Sequence, residues 1–257
     1  MLLIILLLSF IILFFILHSK HFSIFIRDIQ YFLSILPKNI SKLIHNNHIT
    51  NPTFKPLNIL FITFDNRKNI PYIQSHNQNI KDYCEKWNYT YKFITNCQYN
   101  VYWSKIYLVE KYLNKYDYVI WLDSDTYIFN TSIDFGKIIQ QYSSDIYLAS
   151  DNHFLFDIAN AGVFAIKNSK TGKQYLRDCL KNYKEPCVTP KKTLNGFWAA
   201  SCYEQGTMNQ LILNKYSNYT TLLSNDIILN TNKCSKKPFI LHYYGSKDKD
   251  RFQCFNK

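Results

Sequence analysis

The chain has 257 residues and a formal net charge of +12 at pH 7. This length suits one large domain with an appendage, and the charge would suit nucleic acid, anionic lipid or a phosphorylated substrate. The basic residues are scattered instead of forming one patch, which argues against a dedicated nucleic-acid-binding protein. The seven cysteines form no C-x-x-C pair, which argues against a zinc site.

The cysteines leave the disulfide pattern open. Cys187 with Cys202 and Cys234 with Cys254 are candidate pairs, but connectivity cannot be read from spacing alone. An odd number of cysteines leaves at least one thiol unpaired if the others oxidise.

The first segment of the chain is strongly apolar. Residues 2–17 contain one polar residue, Ser9, and the run is slightly shorter than the roughly 20 residues that span a bilayer. The apolar residues of 22–26 can extend it. A cleaved signal peptide is the alternative, but the chain has no basic n-region and no small-residue cleavage site. We therefore predict an uncleaved signal-anchor over residues 1–19, a single-pass membrane helix. Its orientation is ambiguous because Lys20 and Arg27 lie on its C-terminal side.

Residues 20–56 are predicted to form a stem. An amphipathic helix fits residues 24–36, and Pro37, Pro52 and Pro56 then interrupt regular structure. The folded domain is predicted to cover residues 57–257.

The folded part begins with alternating strands and helices, which is typical of parallel βαβ units. Strands are predicted over residues 57–64, 89–94 and 118–122, and helices over 80–87 and 103–113. Further along, helices are predicted over 138–142, 172–182 and 204–215, strands over 145–149, 160–169, 227–229 and 239–243, and an irregular loop over 184–200.

Two carboxylates follow the strand at residues 118–122. The strand has five apolar residues without alternation, as expected for a strand buried on both faces. Asp123 and Asp125 come directly after it, at the end of a parallel strand where open α/β sheets bind ligands. They would repel each other unless a divalent cation neutralised them, and oxygen ligands of this kind suit Mg²⁺ or Mn²⁺. An acidic turn that caps a helix is the alternative.

Several short motifs occur in a fixed order. They are Asp82-Tyr83-Cys84, Trp103-Ser104-Lys105, Trp121-Leu122-Asp123-Ser124-Asp125, Asn160-Ala161-Gly162-Val163-Phe164, Glu204-Gln205 and His242-Tyr243-Tyr244-Gly245-Ser246-Lys247. In this order they resemble the galactosyl/xylosyl/mannosyltransferase family that includes yeast mannan-polymerase subunits and plant xyloglucan xylosyltransferases. The resemblance covers about residues 57–247. The chain departs from the plant members at Ser246, where they carry Cys, and at Glu204, where they carry Asp.

The resemblance implies an α/β fold of the GT-A type, Rossmann-like with a mostly parallel central sheet. It also implies a nucleotide-diphosphate sugar donor, a glycan acceptor, Mn²⁺ or Mg²⁺, and transfer with retention of the anomeric configuration. The expected metal ligands are Asp123, Asp125 and His242. The expected donor contacts are Thr63, Asp65, Lys105, Asp123, Ser124, Asn160, Gly162, Gly245 and Lys247, of which Asn160 and Gly162 would shape the sugar pocket. The expected catalytic residues are Glu204, Gln205 and Lys247.

Each of these assignments has an ordinary structural alternative. His242 could be a core histidine, but Gly245 and Lys247 follow it and suit a phosphate through close backbone approach and charge. Glu204 and Gln205 begin a predicted helix, where the helix dipole favours an acid in any case. Asp151 could bind sugar hydroxyls or cap a helix, and the aromatic residues Phe197, Trp198 and Tyr203 could stack on an acceptor sugar or belong to the core.

Two other functions compete with the transferase. A haloacid-dehalogenase-like phosphatase also places D-x-D after a strand, but it expects that motif near the start of the domain and an acidic pair later. A membrane-tethered, non-catalytic glycan-binding or scaffold subunit is the other alternative. We expect a membrane location, of the Golgi or ER type in a eukaryotic host, no nucleic-acid partner, and leave a homo- or hetero-oligomer open.

Overall fold

A computed structural model describes residues 26, 29, 54–151, 158–183, 202–234 and 238–256. The predicted membrane anchor and nearly all of the predicted stem lie outside these residues, as does the whole loop predicted over 184–200. Within the described ranges, no helix is long and apolar enough to cross a membrane.

From residue 54 onwards, the described part of the chain folds into nine strands and six α-helices. The strands are β1 (Ile59–Phe64), β2 (Thr90–Ile94), β3 (Tyr118–Leu122), β4 (Thr126–Ile128), β5 (Ile146–Asp151), β6 (Ile158–Lys167), β7 (Thr220–Leu223), β8 (Ile228–Thr231) and β9 (Ile240–Tyr243). The helices are α1 (Pro71–Lys86), α2 (Ser104–Leu113), α3 (Phe135–Gln140), α4 (Lys170–Lys181), α5 (Glu204–Leu211) and α6 (Asp248–Phe255).

The central sheet has six strands in the order β2-β1-β3-β6-β5-β7. β1 pairs in parallel with β2 and β3, and β5 pairs in parallel with β7. β6 runs antiparallel to both of its neighbours, β3 and β5. The sheet is therefore mixed: five strands share one direction and β6 opposes them. A second sheet of three strands, in the order β4-β9-β8, lies beside it.

Apolar side chains cover both faces of the central sheet. Along β1, Leu60 and Ile62 pack in one core with helix α2, whereas Ile59 and Phe61 pack in a second core with helix α1. Tyr118 to Leu122 are all buried, which confirms the prediction that β3 is covered on both faces. β3 is thus packed on both faces, and this packing holds in place the end of the strand from which Asp123 and Asp125 follow.

The structure differs from the predicted elements in several places. Helix α1 begins at Pro71, nine residues before the predicted start. Proline suits the first turn because the backbone N–H that it lacks would have no acceptor within the helix there. The helix predicted over 204–215 ends as α-helix at Leu211 and continues as a π-helical turn. Strands β4 and β7 and helix α6 were not predicted, because each is short and lacks a clear hydrophobic period.

One of the two candidate disulfides is confirmed. Cys234 and Cys254 are bonded, with their Cα atoms 5.7 Å apart, and this bond ties helix α6 to the segment after β8. Cys202 also takes part in a disulfide. Its candidate partner Cys187 lies outside the described residues. Cys84, Cys97 and Cys179 are free thiols.

Candidate active site

The pairing of two short strands creates the site. β4 runs antiparallel to β9 with Thr126 opposite His242, and the amide of Tyr243 donates to the carbonyl of Asp125 at 2.9 Å. His242 is thereby brought beside the two carboxylates that follow β3. One ligand atom each from Asp123, Asp125 and His242 lies within 4.8 Å of the others, so the structure brings the three predicted metal ligands together.

The imidazole of His242 has a defined orientation. Its Nδ1 lies 2.8 Å from Oδ1 of Asn230, which faces it across the parallel pairing of β8 with β9. The amide nitrogen of Asn230 donates to the carbonyl of Ser150 at 2.7 Å, so Oδ1 is the atom turned towards the ring. Nδ1–H therefore donates to Asn230, and Nε2 faces the carboxylates, 3.2 Å from Asp125 Oδ1 and 3.9 Å from Asp123 Oδ2.

Gly162 is the residue that leaves room for this ring. A Cβ atom at position 162 would lie 2.1 Å from Cε1 of His242 and 2.5 Å from both ring nitrogens. The carbonyl of Gly162 also accepts from the amide of Asp123 at 2.8 Å. Gly162 thus lies against two of the predicted metal ligands, and its predicted contact with the donor sugar stays a prediction.

Lys105 is buried among acidic groups. Its Nζ lies 3.0 Å from Asp123 Oδ1 and 2.9 Å from Glu204 Oε1, and it donates to the carbonyl of Ala161 at 3.2 Å. Burial alone would lower the pKa of Lys105, but the nearby Asp123 and Glu204 outweigh it and raise that pKa. Lys105 is therefore a buried ammonium group that holds Asp123 and Glu204 in place.

The acidic side chains differ in their surroundings. Burial would raise the pKa of Asp125, but His242 and Arg251 outweigh it and hold this pKa below its usual value. Burial raises the pKa of Glu204, although Lys105 opposes the effect. Two further polar atoms beside them, Glu204 Oε2 and Gln205 Nε2, are buried without a hydrogen-bond partner among the described residues. Buried polar atoms without a partner are costly, and this suits a site that receives a polar ligand.

A cavity of about 470 Å³ opens at these carboxylates. Among the described residues, three acidic and three cationic side chains line it: Asp65, Asp123, Asp125, Arg67, Lys105 and Arg251. Tyr72, Tyr102 and Trp121 contribute aromatic walls. A neighbouring cavity of about 430 Å³ shares Phe64, Asn66 and Val101 with it, so the two adjoin at the end of β1.

The two predicted nucleotide contacts after β1 lie in different surroundings. Asp65 lines the cavity, accepts from Ser124 Oγ at 2.6 Å and pairs with Arg67 at 2.8 Å. Thr63 is fully buried, and its hydroxyl lies 3.0 Å from Nε2 of His76. Thr63 is therefore not among the described residues that line the cavity.

Asn160 and Gln205 fix the backbone of β6. The amide group of Asn160 donates to Asp151 at 3.0 Å and accepts from the amide of Gly162 at 2.7 Å. Gln205 Oε1 accepts from the amide of Ala161 at 3.1 Å. Both side chains thus bind the backbone of β6, the strand next to β3, and their predicted contacts with donor or sugar stay predictions.

The C-terminal motif is only partly gathered at the cavity. Lys247 is exposed and precedes helix α6, and it is not among the described residues that line the cavity. Gly245 has a positive φ of 66°, a backbone conformation that favours glycine. Tyr203 packs edge-on against Tyr102 at 5.0 Å, whereas Phe197 and Trp198 lie outside the described residues.

Three residues of the site were missed by sequence reasoning. Arg251 lies on α6 and pairs with Asp125 at 3.0 Å, and Asn230 orients His242. His76 is fully buried on α1 and lies 2.8 Å from the carbonyl of Thr126, directly after Asp125. No local pattern marks any of them, because each acts through a partner that is distant in the sequence.

Comparisons with known proteins agree with the predicted family. The model of the galactosyl transferase GMA12/MNN10 family matches residues 56–146. The resemblance to this family is therefore confirmed over that segment. The motifs around Asn160, Glu204 and His242 lie beyond the matched residues. No curated protein matches the sequence.

Solved structures show the same fold. One is a glycosyltransferase involved in the glycosylation of the major capsid of PBCV-1, with a TM-score of 0.62 and 15% identity, covering 77% of this chain and 98% of that one. Another is the apo form of the glycosyltransferase GlyE of Streptococcus pneumoniae TIGR4, with a TM-score of 0.51 and 12% identity. That match covers 78% of this chain and 60% of GlyE. The fold of the described residues is thus an α/β fold similar to GT-A glycosyltransferases.

The residues present fit a divalent cation. Two carboxylates and an imidazole nitrogen converge, and the imidazole is held by a hydrogen bond from its other nitrogen, as metal-ligating histidines usually are. Asp125 is also paired with Arg251, and Asp123 with Lys105, so positive charge already faces both carboxylates. Asp123 and Asp125 thus lie in surroundings that stabilise negative charge, as the ligands of a divalent cation require.

Proposed function

We propose that this chain is a metal-dependent, retaining glycosyltransferase. It would move a hexose or pentose from a nucleotide-diphosphate sugar to a glycan or glycoprotein acceptor. The observation that carries the proposal is the cluster of Asp123, Asp125 and His242, whose two carboxylates line a cavity together with three cationic side chains. The family match over residues 56–146 and the GT-A-like fold agree with it.

The charges at the cavity suit a diphosphate. Its acidic and cationic side chains balance, so a bound divalent ion would leave a surplus of positive charge. A diphosphate leaving group gains negative charge as the glycosidic bond breaks, and cations placed there stabilise the transition state. When bound, the ion would supply Lewis-acid stabilisation of that leaving group. Carboxylates suit Mg²⁺ and Mn²⁺ whereas imidazole suits transition metals, so the ligand set favours Mn²⁺.

The chain's own residues would then position the donor. Asp65 and Ser124 lie together at the end of β1 and β3, and the adjoining cavity offers space for the nucleoside part. Lys105 keeps Asp123 and Glu204 oriented through an ion pair with each of them. Glu204 and Gln205 begin helix α5 and carry the unpaired polar atoms, and we propose that one of them faces the anomeric carbon.

The transfer reaction gives a direct test. UDP- and GDP-sugars are screened for Mn²⁺-dependent release of the nucleoside diphosphate, with and without glycan acceptors, and the anomer of the product is read by NMR. Asp125→Asn should lower turnover by at least about a hundredfold, because it weakens a metal ligand at the reacting centre. Asp226, an exposed acid, provides the control Asp226→Asn, which should keep full activity.

The alternatives predict other outcomes. A glycan-binding or scaffold subunit would bind acceptor glycans but release no nucleoside diphosphate from any donor tested. A phosphatase would release inorganic phosphate. Near-full Mn²⁺-dependent activity in folded Asp125→Asn would refute the metal assignment, and an inverted product would refute the retaining mechanism alone.

The location of the protein also belongs to the proposal. We propose that residues 1–19 anchor the chain in a membrane and that residues 20–56 hold the catalytic domain away from it. The apolar composition of residues 2–17 supports this. Membrane flotation of the full chain, compared with a chain that lacks residues 1–19, tests it.

A further inference from the structure

Arg251 is a cation at the cavity that no sequence motif marked. Its side chain is 13% exposed, and its Nη2 lies 3.0 Å from Asp125 Oδ2. Its Nε donates to the carbonyl of Tyr243 at 3.2 Å, and its guanidinium lies over the ring of Tyr72 at 5.1 Å. The guanidinium is therefore fixed by groups other than the carboxylate, and it stays at the cavity whether or not Asp125 holds it.

Helix α6 carries Arg251 and is firmly attached. The disulfide between Cys234 and Cys254 ties it to the segment after β8, and Phe255 packs against Tyr72 of α1 with ring centroids 6.3 Å apart. Side chains that bind ligands through geometry need such support.

The other two cations that line the cavity, Lys105 and Arg67, are also held by carboxylates. An ammonium group has three hydrogens to donate, and Lys105 already faces Asp123, Glu204 and the carbonyl of Ala161. Arg67 contacts Asp65 through both Nε and Nη2. Arg251 has five N–H groups, of which one contacts Asp125, one contacts the carbonyl of Tyr243 and one lies 3.4 Å from Asp248, so two have no contact among the described residues.

Occupancy of the metal site would change the partner of Arg251. Asp125 Oδ1 faces His242 Nε2 while Oδ2 faces Arg251, so a cation bound by Asp125 competes with the guanidinium for the same carboxylate. A guanidinium that loses a carboxylate is well suited to a phosphate, because carboxylate and phosphate can each accept two parallel N–H hydrogen bonds from it.

We propose that Arg251 binds the diphosphate of the donor, exchanging Asp125 for a phosphate oxygen when the metal site fills. This inference rests on the proposed function. It gives Arg251 two effects of opposite sign: it disfavours the metal ion alone, and it favours the diphosphate once the ion is bound. No covalent step is involved.

Calorimetry on the full chain separates these effects. Mn²⁺ alone is titrated first, and then UDP, GDP and pyrophosphate at saturating Mn²⁺, for wild type and Arg251→Ala. The variant should bind Mn²⁺ at least as tightly as wild type, because a competing cation is gone. It should bind the diphosphate probes at least about tenfold more weakly, because a charge-assisted contact is lost. Lys249→Ala removes an exposed cation from the same helix and should change neither affinity.

Arg251→Lys keeps the positive charge but loses the planar guanidinium that can donate two parallel hydrogen bonds. It should therefore bind diphosphate more weakly than wild type but more tightly than Arg251→Ala, and it should bind Mn²⁺ as wild type does. It carries the same test if Arg251→Ala does not fold. A variant that weakens Mn²⁺ and diphosphate alike would overturn the proposal, since that is the result of structural damage. So would unchanged diphosphate affinity. If wild type binds Mn²⁺ but no diphosphate, the proposed function itself fails.

Discussion

A methyl group added at Gly162 tests the geometry of the proposed metal site. The Cβ of Gly162→Ala would lie 2.1 Å from Cε1 of His242, whereas carbon atoms in contact prefer about 3.5 Å or more. The ring must therefore move by roughly 1.4 Å. It is held between Asn230 and Asp125, so this movement breaks at least one of those contacts.

The expected loss is large because metal ligands tolerate little displacement. Ligand distances in metal sites stay within about 0.2 Å of their preferred values, and an error of about 1 Å in a reacting geometry costs roughly a hundredfold in rate. Gly162→Ala should therefore weaken Mn²⁺ binding at least about tenfold and turnover about a hundredfold. Overpacking should also cost about 1–3 kcal/mol of stability.

The measurements are Mn²⁺ titration, turnover and thermal unfolding of Gly162→Ala, His242→Ala and the double variant. Removing the imidazole removes the clash, so the double variant should recover the stability that Gly162→Ala loses, while metal binding stays weak. Wild-type Mn²⁺ affinity in Gly162→Ala would refute this reasoning. Additive losses of stability would show that the methyl group does not act through His242.

Three further predictions concern other parts of the chain. Asn230→Ala should weaken Mn²⁺ binding about 10–100-fold with little change in unfolding temperature, since it frees the ring of His242; unchanged affinity would contradict this. Cys254→Ser opens a loop closed over a sequence separation of 20 and should cost about 3 kcal/mol, roughly 6–12 °C in Tm, whereas Cys97→Ser should cost little. Deleting residues 1–19 should abolish membrane association and leave a folded protein, and circular dichroism that shows loss of folding would place that segment in the core.

The sequence was sufficient to predict the features that depend on neighbouring residues in the chain. Residues 118–122 are uniformly apolar and the following acids interrupt them, so a buried strand ending in a carboxylate pair follows from the order of residues alone. The strand-helix alternation before it predicted the α/β class, which the structure confirms. The motifs around Asp123 also pointed to the family whose model matches residues 56–146.

The sequence did not predict that one strand of the central sheet, β6, runs antiparallel to its neighbours. Strand β6 reads as an apolar run like its neighbours, and nothing in that run states its direction. In the structure it lies antiparallel between β3 and β5, where its reversed direction brings Gly162 next to Asp123. The direction of a strand depends on where its connections place it among the other strands, and this is a property of the whole sheet.

The contacts that complete the site were decided only by the tertiary structure. His242 meets Asp125 because three-residue β4 pairs with β9, and a strand so short has no periodic signature of its own. Asn230, Gly162 and Arg251 then act on those two residues from β8, β6 and α6. Sequence fixes which chemical groups are available and the local elements that carry them. The distances between groups far apart in the chain follow from strand register and packing, which depend on all the elements at once.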